Sequence, residues 1–241
     1  NANQSWNAIA NTNAINLNSG DPYRLLVRGD RTVDLTDNFA TPSPTTLIST
    51  GVLTAENNAP APLALNATAG GFSLVGNPFQ AQVNMPSVLN SNANNVNPLF
   101  YWVWDPTLSS RGAYVVFMVL TDSPTAGNQN KYLQAGQACF VKTVANSAAS
   151  LTFNQASKNT SEIETDVFKS SDKKSTASTG HLSLKLYEST AYSEGKTPAD
   201  AIFISFDDAG NNSIDGFDAT KISNLDENLA VNSNGTFLTV E

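Results

Sequence analysis

Residues 99–120 read LFYWVWDPTLSSRGAYVVFMVL. Two apolar runs, 99–104 and 113–120, are each about the length of a strand, and Asp105-Pro106 after the first is a turn signal, because proline fixes φ behind a residue that hydrogen-bonds its own backbone. In an extended chain Phe100, Trp102 and Trp104 share one face while Tyr101 and Val103 share the other, so the first run is apolar on both sides. Similar short runs recur at 23–27, 46–53, 71–75, 138–144 and 150–153, among turn signals such as Gly20-Asp21-Pro22, Asn77-Pro78, Asn97-Pro98 and Ser123-Pro124. No long window carries a 3.6-residue stripe. The spacing predicts an all-β chain, with an antiparallel β-sandwich over residues 1–160.

Residues 161–180 are polar and rich in Ser and Thr, which predicts a linker or long loop. Beyond them, Leu182, Leu184 and Leu186 alternate with Ser183 and Lys185, and Ile202, Ile204 and Phe206 share one parity. Both stretches read as half-buried strands. Asn234-Gly235, between two further apolar runs, predicts a type I′ hairpin. Residues 181–241 therefore form a second, smaller β unit of about four strands, few for an independent core. Either this unit packs on the first or it continues past Glu241.

The composition narrows the function classes. Among 241 residues, 13 Lys and Arg stand against 21 Asp and Glu, a net charge of −8, and no basic cluster offers the cations that phosphate-backbone binding needs. Nucleic acid is not an expected partner. No apolar stretch reaches the roughly 20 residues of a membrane span. One Cys and one His, Cys139 and His181, leave little with which to build a structural zinc site or a Ser-His-Asp triad. The 29 asparagines, with abundant Ser, Thr and Ala and few Lys, fit a turn-rich extracellular β-protein.

Three stretches taken in order, GFSLVGNPF (71–79), LQAGQACFVK (133–142) and IDGFDATK (214–221), carry a family resemblance. The chain resembles the β-rich region that precedes the sorting domain in large secreted and cell-surface proteins of Bacteroidota exported by the type IX secretion system. The resemblance runs from about residue 20 to the end. Phe72 stands where the family has tryptophan, and Cys139 stands where it more often has an aromatic, which makes Cys139 a packing residue. What the resemblance implies is an extracellular or cell-surface location and an adhesin-like, non-enzymatic passenger or spacer. It also implies transient contact with the outer-membrane translocon and its shuttle protein. Asp215 and Asp218 are implied to be structural, capping a short turn before Lys221.

Several groups of residues could carry chemistry or binding. Trp102 and Trp104, beside Asp105 and Arg111, would suit a glycan or other surface ligand if one face of the strand were open, since a sugar's C–H face packs on an indole. Aromatics at this density favour a strand buried on both faces instead. Asp207, Asp208, Asp215 and Asp218, with Asn211 and Asn212, gather enough oxygens to consider Ca²⁺, although the spacing is not that of an EF-hand; solvated Asx turns are the plainer reading. Asp105 and Asp215 could serve a glycosidase only if they met across a cleft. Cys139 lies in an apolar run far from His181, and His181 reads as a solvated or capping residue. Arg28-Gly29-Asp30 spells an integrin tripeptide but reads more simply as a turn.

Overall fold

The computed structural model describes residues 7–25, 29–34, 36, 43, 46, 48, 50–55, 62–109, 111–159, 180–206 and 210–241. The fold is all-β and sandwich-like. Its centre is a five-stranded antiparallel sheet in the order Phe72–Gly76, Ala138–Lys142, Phe100–Asp105, Ala113–Met118, Ser123–Pro124. The aromatic strand and its successor pair in full register, from Phe100 opposite Met118 to Asp105 opposite Ala113. In the short connection between them, Ser109 and Gly112 take positive φ, at 53° and 85°.

Strand parity decides which side chains go where. Val75, Tyr101, Val103, Val115, Phe117, Cys139 and Val141 project to one face and are buried there with Val83, Met85, Val88, Leu133, Leu151 and Phe153. That face is roofed by the helix Met85–Ser91 and by two small sheets built from the two-residue strands Leu63–Ala64, Ser150–Leu151 and Ala93–Asn94, and Val83–Asn84 with Tyr132–Leu133. The helix escapes a periodicity search because seven residues are too few to draw a stripe. Asn84 starts it by accepting the Ser87 N–H, and Met85, Val88 and Leu89 supply its buried side.

The opposite face carries Phe100, Trp102, Val116 and Met118, and here the C-terminal unit docks. Ala219 and Val240 are buried against these four, with Phe72, Phe140, Phe203 and Ile222 packed around them. The docking sheet runs His181–Leu186, Asp200–Ser205, Thr236–Val240, Ala219–Thr220, with Val231–Ser233 pairing beside Thr236–Val240. Residues 181–241 thus pack on the first unit. Their sheet is antiparallel except at one place, where Phe203 and Val240 pair in parallel. The predicted Asn-Gly hairpin is present, with Asn234 at φ 49° and Gly235 at φ 87°, both in the left-handed region that a type I′ turn requires.

Two expectations need correction and a third is not tested. The described residues of 23–27 and 46–53 are not in strands. Gly20 does lend its carbonyl to Gly76 N–H at the edge of the central sheet, but Pro22, two residues on, has no N–H with which to continue a ladder. The stretch 181–186 is a strand, yet Leu182 and Leu184 are 41% and 43% exposed, because it is the edge of its sheet. The expected linker 161–180 lies outside the described residues apart from Gly180.

Since Trp102 is buried between the two units, Trp102→Ala should cost about 3–5 kcal/mol, the usual range for truncating a fully buried tryptophan. Chemical denaturation monitored by circular dichroism measures this; a loss under about 1 kcal/mol would mean that the second unit does not depend on the joint.

Candidate functional site

The expected ligand-binding residues contact the protein itself: Trp102 and Arg111 reach the joint between the β units, while Trp104 and Asp105 are held within the first unit. Trp102 is 1% exposed and offers no face to a ligand. Its Nε1–H donates to the Thr220 carbonyl at 3.0 Å, and Phe72 meets its ring edge-on at 4.9 Å between centroids. Trp104 is half-buried, edge-on to Tyr114 at 4.8 Å. Its indole lies over Gly112, where a Cβ would overlap the ring.

Arg111 reaches across to the second unit. Its Nε donates to Asp226 Oδ2 at 2.8 Å, and its Nη2 donates to Asp226 Oδ1 and to the Leu225 carbonyl. This forked pairing matches the planar guanidinium to a carboxylate. The Arg111 hydrogen bonds hold the Asp226 carboxyl below the usual carboxylate range. Around this pair, Asn224 Oδ1 accepts the Tyr114 N–H and Thr197 Oγ1 donates to the Thr107 carbonyl. The arginine expected to greet a ligand is therefore spent on fastening the units.

Asp105 is buried at 1% exposure. Its Oδ1 accepts the Thr107 N–H at 2.8 Å and the Thr107 hydroxyl at 2.6 Å, forming the turn that its pairing with Pro106 suggested. Its Oδ2 has no hydrogen-bond partner among the described residues and sits where a side chain at position 127 would be, so Gly127, at φ +71°, makes room for it. Asp105 is buried facing the first core, whereas Asp215 lies in an exposed loop of the second unit.

Of the four expected calcium ligands, Asp207 and Asp208 lie outside the described residues. Asp215 and Asp218 are brought together, but they hold their own loop: Asp218 Oδ2 accepts the Asp215 N–H at 2.7 Å, and Asp215 Oδ1 accepts the Phe217 N–H at 2.8 Å. Asn211 Nδ2 donates to Asp215 Oδ2. Burial pushes the Asp218 carboxyl up, against a smaller pull downward from the Asp215 N–H. Among the described residues no three Asp, Glu, His or Cys side chains gather as metal ligands.

Cys139 and His181 are not brought together. Cys139 is fully buried in the first core, where burial pushes its thiol well above the ordinary range. His181 is half-buried rather than solvated, its ring stacked on Phe203 at 4.8 Å. Arg28 of the tripeptide lies outside the described residues, while Asp30 Oδ1 accepts the Thr32 N–H in a local turn.

The three ordered motifs meet in space. Asn77 of the first donates through Nδ2 to the carbonyls of Leu133 and Gln134 in the second, at 3.0 Å each, and Val75 pairs with Cys139. Lys142, closing the second motif, donates to Thr220 Oγ1 of the third at 2.6 Å. Desolvation lowers the Lys142 ammonium, and the Asp218 carboxylate opposes that shift.

One site escaped the sequence reading. Lys221 Nζ lies 2.7 Å from Asp200 Oδ1 and 2.6 Å from Oδ2, with side chains 4% and 3% exposed. Oδ1 also accepts the Ala201 N–H at 2.9 Å, and Oδ2 the Leu229 N–H at 2.6 Å. Burial lowers the Lys221 ammonium, and the hydrogen bond to Asp200 acts against that shift. Taking such a pair out of water costs several kcal/mol per ion before the attraction offsets it. Lys221 was visible as the end of the third motif, but nothing local marks Asp200 as its partner.

No protein-family model, curated protein or solved structure matches this chain. No helix among the described residues is long and apolar enough to cross a membrane.

The Arg111–Asp226 pair predicts a pH dependence. A carboxyl whose folded pKa is depressed adds stability above its unfolded pKa and loses that contribution as pH falls through the folded value. Urea titrations between about pH 7 and about pH 3 should therefore show an acid-dependent loss of stability that Asp226→Asn reduces. Identical pH profiles for the two proteins would show that the pair contributes nothing to the joint.

Proposed function

We propose that the chain is a non-enzymatic structural module, a spacer or passenger of a secreted or cell-surface, adhesin-like protein carried out of the cell by the type IX secretion system. The observation that carries this reading is the use made of the best candidate side chains. Trp102 and Arg111, with the chemistry to stack on or clasp a ligand, join one β unit to the other through Thr220 and Asp226. A joint of this kind keeps two sheets aligned, which is what a spacer has to do.

The lineage rests on the three motifs in their order, and their meeting gives that order a physical sense. Each motif supplies part of one packed seam, through Asn77, Lys142 and Thr220. Such a seam serves folding and is compatible with any neighbouring activity. Contact with the translocon and shuttle protein belongs to this same proposal.

A second reading, a surface-ligand module, has one observation in its favour. A groove of about 600 Å³ opens beside the strand Phe72–Gly76, lined by Tyr23, Leu63, Phe72, Leu74, Phe140 and Ile222. Its volume is within the range of small-molecule sites. On this second reading the ligand sits there and not at Trp102.

The test is protease shaving and immunodetection of the full-length gene product in its native cells, with and without a working type IX translocon. The expected result is protease-accessible chain on intact cells, lost from the surface and retained inside when the translocon is inactive. Surface display that persists without the translocon, or a wholly cytoplasmic chain, would overturn the proposal.

A further inference from the structure

Asp200 opens the strand Asp200–Ser205, and Lys221 follows directly on Ala219–Thr220. In the sheet these two strands are separated by Thr236–Val240, so the Asp200–Lys221 contact bridges over a strand that lies between them. An Nζ at 2.6 and 2.7 Å from both carboxylate oxygens is held within about 3 Å of the carbon they share, so a small swing of the side chain out of the carboxylate plane brings it to an attacking position. We propose that Lys221 and Asp200 condense to an intramolecular isopeptide bond, tying the two strands together covalently.

The site supplies what the reaction needs without a cofactor. The reaction begins when the ammonium passes one proton to the carboxylate, which leaves a neutral amine facing a neutral carboxylic acid. The lowering of Lys221 by burial acts in the same direction. The amine lone pair attacks Cγ of Asp200, forming the N–C bond and a tetrahedral centre whose developing negative charge falls on carboxyl oxygen. The N–H groups of Ala201 and Leu229 already point at those oxygens and stabilise that charge. Collapse breaks one C–O bond. The departing oxygen takes two of the three protons the ammonium began with, and the third stays as the amide N–H. Ammonium and carboxylate thus become one amide and one water, with nothing oxidised or reduced.

The bond would also relieve the cost of keeping two charges out of water, since an amide is neutral. It stands independently of the export route and of any ligand. It would reinforce a spacer, because a covalent bridge between strands holds when hydrogen bonds between them are pulled apart.

The chain's sequence provides a direct test. Trypsin cuts after Lys196 and Lys221, the latter being the sole Lys or Arg in residues 197–241. Intact-mass analysis of the purified, folded 241-residue chain, followed by tryptic mapping, should give a protein lighter by one water. It should also give a single fragment, 197–241, because an acylated lysine is not cleaved. Lys221→Arg should restore the full mass. Full mass with separate fragments 197–221 and 222–241 would overturn the proposal. So would a lost water accompanied by normal cleavage at Lys221, which would place the dehydration at a site such as Asp215-Gly216. The wild-type measurement decides the matter even if the variant fails to fold.

Discussion

The structure depends on a sheet that is apolar on both of its faces. Any such sheet must be covered twice, and here the two covers are different in kind. One face is roofed by a helix and small sheets formed from neighbouring chain; the other is covered by a separate β unit, residues 181–241, from the C-terminal part of the chain. Trp102 sits at the centre of that second face, and its indole N–H would be an orphan in an apolar layer if Thr220 did not present a carbonyl to it. The hydrogen bond turns a non-directional burial into a specific docking, because only one placement of the second sheet satisfies it.

Around this centre the polar contacts form a rim. Arg111 with Asp226, Asn224 with Tyr114, Thr197 with Thr107, and Lys142 with Thr220 all span the joint. Polar contacts near the surface compete with water, so their combined value lies more in alignment than in strength. The apolar centre supplies the adhesion. That division is the arrangement seen in a well-made interface between partners, here within one chain. It also supports the proposed structural role, since Trp102 and Arg111 are committed to the joint.

Much of this was legible in the residues themselves. The two-sided apolar character of residues 99–104 follows from parity alone, and the Asn234-Gly235 turn from the left-handed φ values that these residues tolerate. What could not be read was the identity of long-range partners. Arg111 and Asp226 lie 115 residues apart, and nothing in the sequence around either selects the other. The same holds for Asp200 and Lys221. The described residues of 23–27 satisfied strand composition, but a ladder also needs N–H groups in register, and Pro22 withholds one at the place where Gly20 begins to pair. The helix Met85–Ser91 was missed because its signal lies in a cap, Asn84, and in three buried positions rather than in a repeating stripe.

The claim on which the account rests is that the Trp102 indole is locked against the second unit. Its most direct test is hydrogen exchange of the Trp102 Nε1–H, followed by NMR in the intact chain. The account predicts exchange as slow as that of the most protected backbone amides of the central sheet, because releasing this proton requires the two units to part. Exchange at the rate of a solvent-exposed indole, while the amides of Phe100–Asp105 remain protected, would contradict it.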